Sequence, residues 1–133
     1  MSFSAYLIVE SETFTVRDFH WVIKQQTDEL GRPEARVEGG TIDITLDSRP
    51  NETLHFWAID DTKRFDGVLN VLEEDSQGIR DQLKFFGAHC IGLKKQFQDA
   101  HSARGMLMHL TLSADKLQYG EVTIDNNWPD TAP

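Results

Sequence analysis

The chain is short of most residues that mark a function. It has one cysteine, Cys90, in 133 residues. No intramolecular disulfide is possible, which excludes the stapled frameworks of small secreted domains. Cations are scarce, with 13 Lys and Arg against 22 Asp and Glu and a formal net charge of −9. Phosphate-backbone and anionic-membrane binding need clustered Lys and Arg. The densest basic spot, Leu93-Lys94-Lys95, is too small to supply that, so no nucleic acid and no membrane insertion are expected. No stretch approaches the roughly 18 apolar residues of a spanning helix. A basic segment followed by an apolar one is missing at the N-terminus, so no ordinary signal peptide is read and the chain is expected to fold in the cytoplasm.

Chemistry-bearing patterns are also lacking. His20, His55, His89, His101 and His109 form neither HxH nor HxxxH. The adjacent His89-Cys90 pair sits in a strand-like run, where neighbours point to opposite faces, so it does not share a metal. There is no GxSxG elbow, GxGxxG or P-loop. The carboxylate groups Asp60-Asp61 and Glu73-Glu74-Asp75 lie beside turn signals and read as solvated surface. The expectation is no catalytic residue, no metal and no cofactor. Cys90 reads as a small buried hydrophobe.

What is present is a core. Hydrophobic residues make up 39% and aromatics number 13, enough for one compact domain and against disorder. Alternating apolar positions predict strands over 3–10, 14–26, 41–47, 68–73, 79–97 and 106–113, then two short ones at 117–119 and 122–124. Ser11-Glu12-Thr13 is read as the first turn, and Gly67 as the residue opening its strand. In the second strand Phe14 and Val16 share one parity while Phe19, Trp21 and Ile23 share the other. A bulge near Arg17-Asp18 reconciles them. In 79–97 the odd positions Ile79, Leu83, Phe85, Ile91, Leu93 and Phe97 carry the apolar set, with bends or bulges expected at Gly87 and Gly92. Asn51 is a helix N-cap with Glu52 in the first turn, and Leu54, Trp57 and Ala58 form an apolar stripe ending at Asp60-Asp61. The fold class is therefore mainly β, a small antiparallel barrel or sandwich with one short α-helix, in one domain over residues 1–128 with a polar tail at 129–133.

The segment TDELGRPEARVEGGTIDITL (27–46) joins a long, turn-rich loop to a strand. Loops beyond about 12–15 residues are usually functional or disordered. This one carries no chemistry, so protein contact is its natural use. The pattern D-x-x-G-R-P-x-x-x-V-x-G-G-x-I-x-I from Asp28 to Ile44, with LKFFGAHCIGLKKQF, MLMHLTLSADKLQYG and the terminal NNW, resembles the haemolysin-coregulated protein (Hcp) family, the tube proteins of type VI secretion, in its Bacteroidota branch. The resemblance runs over roughly residues 1–128.

It implies a phage-tail-tube-related barrel, six subunits closing into a ring, and rings stacking into the inner tube of a contractile machine. It implies sheath, spike, baseplate and effector partners, secretion without a signal peptide, and no catalytic residue. Glu29, Leu30, Gly31, Arg32, Pro33, Arg36, Val37, Gly39 and Gly40 are accordingly assigned to subunit or ring contacts, with Arg32 and Arg36 pairing with acidic residues of the next subunit. Two other readings stand beside this one. One is a monomeric barrel acting as an adaptor or binding a small ligand in a closed apolar cavity. The other is the tube of a phage-tail-like particle. No role is assigned to the histidines.

Overall fold

A computed structural model describes residues 3–24, 27–32, 40–97 and 106–126. Eight antiparallel strands and one helix follow in the order β1 (Phe3–Val9), β2 (Glu12–Trp21), β3 (Thr41–Asp47), α1 (Thr53–Ile59), β4 (Phe65–Glu73), β5 (Ile79–Phe97), β6 (Met106–Ser113), β7 (Lys116–Tyr119) and β8 (Val122–Asp125). The strand order is β4-β1-β2-β3-β6-β5-β7-β8, and a further β4–β5 pairing closes the first six into a barrel. The fold class read from the sequence is the one observed.

Two long strands make the corners of the barrel. The first half of β2 pairs with β1, from Val9↔Glu12 to Ala5↔Val16, and the second half pairs with β3, from Asp18↔Thr45 to Trp21↔Ile42. The switch falls at a register shift between Val16 and Asp18, where the sequence parity changes. Likewise β5 pairs with β4 up to Ala88 and with β6 from His89 to Phe97. Its turning point is Gly87, at φ +59°. Two sheets, β2-β1-β4-β5 and β2-β3-β6-β5, thus share bent strands, as in orthogonal packings where strands cross between sheets at bulges or bends.

The bends decide which side chains reach the core. Phe14 and Val16 are buried before the bulge, while Phe19 and Trp21 pack against the core after it. In β5, Leu83 and Phe85 point inward, then Ala88 and Cys90 after Gly87, then Leu93 after a second shift between Cys90 and Gly92. The odd-position pattern fails for Ile91, at the second shift, and for Ile79 and Phe97, at the two ends of the strand, all of which are exposed. Each bulge inserts one residue and flips the side-chain phase. Cys90 is free and buried, as expected. Burial pushes its thiol up, and its Sγ lies 3.3 Å from the carbonyl of Gly92.

Several boundaries differ from the sequence reading. The first turn is Glu10-Ser11, with φ of 53° and 63°, rather than Ser11-Glu12-Thr13. Both residues have positive φ, the backbone that matches a tight hairpin to strand twist. β2 stops at Trp21, short of residue 26, because β3 starts opposite it at the Trp21↔Ile42 pair. β4 starts at Phe65, and Gly67 lies inside it. A Cβ on Gly67 would sit 2.4 Å from Cζ of Phe85, so the glycine admits that ring against the strand.

The helix starts at Thr53, one residue later than a cap at Asn51 requires. The Asn51 side chain still accepts the Leu54 N–H at 3.1 Å, satisfying a donor the helix leaves free. Leu54 and Trp57 are buried, and the chain turns extended at Asp60. The Trp57 Nε1–H donates to the Ala88 carbonyl at 2.9 Å, and its ring stacks on Phe85, with centroids 6.4 Å apart. This ties α1 to the corner of β5. The interior is filled by Leu7, Ile42, Ile44, Leu46, Leu69, Leu110 and Leu112, each at most 2% exposed. Burial of this kind contributes about 1.5–3 kcal/mol per side chain. No buried polar residue is found among those described.

Candidate assembly surface

The loop singled out by the sequence begins as a self-contained turn. One Asp28 carboxylate oxygen accepts the backbone N–H groups of Leu30 at 2.9 Å and Arg32 at 3.0 Å. The other accepts the Arg32 Nε–H at 3.0 Å. Backbone bonds from Gly31 N to the Asp28 carbonyl and from Asp28 N to the Arg32 carbonyl close the turn. The donated Arg32 backbone hydrogen bond is the main cause holding Asp28 below the ordinary carboxylate range, helped by Leu30 and the Arg32 side chain. Gly31, at φ +84°, supplies the left-handed residue.

The turn presents Leu30, 76% exposed, at its tip, with Glu29 beside it. Arg32 makes an ion pair with Asp28 of the same chain, and its side chain stays mostly exposed. Pro33, Arg36, Val37 and Gly39 lie outside the described residues.

Gly40 is a different kind of residue. It is buried, at φ +104°, and its carbonyl accepts the Ala114 N–H at 2.7 Å. A Cβ there would sit 2.5 Å from Nδ2 of Asn126 and 2.6 Å from the Ala114 carbonyl oxygen. It anchors the end of the loop to the barrel and offers no side chain to a neighbour.

The sheet β2-β3-β6-β5 supplies a surface the sequence reading missed. Its two end strands lack a second strand partner there. Among the described pairings, residues 18–21 of β2 meet only β3, and residues 91–97 of β5 meet only β6. The register lines up Asp18, Thr45, His109 and Lys94 in one row across the sheet. One edge of that row is therefore acidic and the other basic. Such pairing follows from tertiary registers, and only the parity shift near Arg17 hinted at it.

The outer face of this sheet is polar and internally bonded. His20 Nε2 lies 3.0 Å from an Asp43 carboxylate oxygen, and the other oxygen accepts the Thr111 hydroxyl at 2.9 Å. His109 Nδ1 lies 2.9 Å from Thr45 Oγ1. His55 Nδ1 donates to the Asn51 carbonyl at 2.7 Å on α1, and His89 sits on β5. His20, His55 and His109 thus serve separate local bonds, and His101 lies outside the described residues. No group of three or more metal-ligating side chains occurs among the described residues.

Exposed apolar side chains also mark this molecule. Phe97 and Met106 pair across β5 and β6, Val22 and Ile23 follow β2, and Phe56 and Ile59 stand on α1. Clustered exposed apolar residues signal interaction surfaces.

Comparison with known proteins agrees with this geometry. Residues 1–129 match the family profile described as haemolysin-coregulated protein Hcp (TssD). Hcp1 from Flavobacterium johnsoniae superposes with a TM-score of 0.85 at 28% identity, covering 92% of this chain and 99% of that one. Hcp1 from Salmonella typhimurium gives a TM-score of 0.70 at 15% identity, with 93% and 92% covered. A chain of the anti-feeding prophage baseplate shares the fold more distantly, with a TM-score of 0.56, 12% identity, and 95% and 94% covered. No curated protein sequence matches. The profile spans nearly the whole chain, and the barrel, its strand pairings and its single helix accompany it. The chain belongs to the haemolysin-coregulated protein (Hcp, TssD) family of type VI secretion tube proteins, a structural, non-enzymatic family that self-assembles into tubes within injection machinery and is secreted by it.

Proposed function

We infer that this chain closes into a six-membered ring, that rings stack into the inner tube, and that the tube carries or delivers effectors. Assembly takes place in the cytoplasm, beside sheath, spike and baseplate proteins. The observation that carries the ring reading is the pair of edges on the β2-β3-β6-β5 sheet, residues 18–21 and 91–97, that take no second strand among the described residues. Unpaired edges are templates for another strand. Two unlike edges on one sheet make a heterologous contact, which forms a ring when the rotation closes.

Charge favours the same contact. Lys94 and Lys95 lie on one edge and Asp18 on the other, and a contact that continues this row into a neighbour would set Lys94 opposite its Asp18. Leu30, held out by the Asp28 turn, adds an apolar contact to a neighbouring subunit or ring. Arg32 shapes that turn.

Light scattering on the purified chain tests the ring. The expected mass is about 90 kDa, six copies of the 15.2 kDa chain. Lys94→Glu should shift the mass toward the monomer, and adding Asp18→Lys should restore it. A wild-type chain that stays monomeric at high concentration defeats the reading.

A further inference from the structure

Helix α1 has two faces with different fates. Leu54 and Trp57 turn inward onto the core. Phe56 and Ile59 turn outward, 57% and 79% exposed, although each would normally gain from burial. They are three residues apart, so they sit side by side on the helix surface, and Glu52 lies four residues before Phe56 on the same stripe.

The helix segment that carries this apolar pair is acidic, with Lys63 at its far end. Residues 51–62 hold Glu52, Asp60 and Asp61 with no Lys or Arg. Asp60 is fixed by Thr62, whose hydroxyl donates at 2.7 Å and whose N–H donates at 2.9 Å. These bonds, the hydroxyl first, with the charge of nearby Lys63 adding to them, hold its carboxyl below the ordinary range. The next cation along the chain, Lys63, has its Nζ 5.6 Å over the Phe65 ring. The patch is thus two large apolar side chains in an anionic collar, apart from the strand edges assigned to ring closure.

We propose that this face of α1 docks a second, different protein through an apolar side chain flanked by Lys or Arg. A second copy of this chain is the poorer fit. It carries a net charge of −9, and its Lys94-Lys95 pair lies on the edge used within the ring. A basic partner gains from the collar through steering and register, while the apolar contact supplies affinity.

The test places the photoreactive residue benzoyl-phenylalanine at Phe56 in cells that make the whole machine, and sequences the cross-linked peptides. The expected adduct is with a different protein, at a segment of net positive charge. Asp60→Lys/Asp61→Lys should reduce it at least about tenfold, a loss of roughly 1.4 kcal/mol. Glu73→Lys/Glu74→Lys, an equal charge change in the β4–β5 turn, should leave it unchanged. Adducts only with other copies of this chain, adducts at segments without positive charge, no adduct, or equal loss in both charge variants would each overturn the proposal. The native mass of the same preparation reports ring formation separately, so a failed ring and a failed docking face are told apart.

Discussion

Gly40→Ala separates an interface residue from a fold anchor. An interface role predicts a normal monomer and a weaker oligomer, whereas the geometry predicts a damaged barrel. At φ +104° a residue with a Cβ is strained whatever the space around it, at about 1–3 kcal/mol. The added methyl would meet Asn126 Nδ2 at 2.5 Å and the Ala114 carbonyl oxygen at 2.6 Å. Relief requires moving the backbone of Ala114 or the Asn126 side chain. The hydrogen bond from Asn126 Nδ2 to the Ala114 carbonyl and that from Ala114 N to the Gly40 carbonyl are then at risk. Each contributes roughly 0.5–1.5 kcal/mol. The smaller unfolded-state entropy of alanine returns about 0.4–1 kcal/mol. The net expectation is a loss of about 2–5 kcal/mol.

Urea unfolding at fixed protein concentration reads this as a lower midpoint with an unchanged slope. Gly40→Ala/Asn126→Ala should remain destabilised, because the Ala114 backbone contact persists. Gly31→Ala, at φ +84° with open space around it, should cost less. A midpoint for Gly40→Ala within about 1 kcal/mol of wild type, with a smaller native mass, would refute the anchor reading.

Trp57→Phe should cost about 2–4 kcal/mol, by leaving the Ala88 carbonyl without its donor and a small void beside Phe85, measured by the same unfolding. Glu10→Asn/Ser11→Gly should stabilise by about 1 kcal/mol, since both positions have positive φ and the replacement suits a tight hairpin; an unchanged or lower melting temperature counts against it. The Asp28 turn should depend on pH. Because folding lowers that carboxyl's pKa, its contribution is present above the ordinary value of about 4 and is lost as pH falls through the folded value. Amide exchange at Leu30 and Arg32, corrected for intrinsic rates, should lose protection toward low pH, and Asp28→Asn should remove the transition.

Much of the barrel was legible because strand period and turn chemistry are local. The parity change between Val16 and Phe19 located a bulge that proved to be a barrel corner, and the glycines of 79–97 located the other. What these corners did to the side chains downstream was not legible. Ile91 reads as core by parity, but one phase change at Gly87 precedes it and it sits at the second shift between Cys90 and Gly92, so it faces out. Asp28 and Arg32 stood in the quoted pattern, yet their mutual bond appears only when the turn closes. Gly40 looked like its loop neighbours in composition, and its packing against Ala114 joins residues far apart in sequence.

The sequence by itself determined the β class, the single short helix, the lack of catalytic patterns and the family resemblance. These rest on composition, short-range periodicity and residue order. The tertiary structure alone decided that Gly40 is an anchor, that Arg32 pairs within its own turn, and that one row of a sheet ends in Asp18 on one edge and Lys94 on the other. Each depends on which strands meet and in what register, and register is set by packing across the whole barrel.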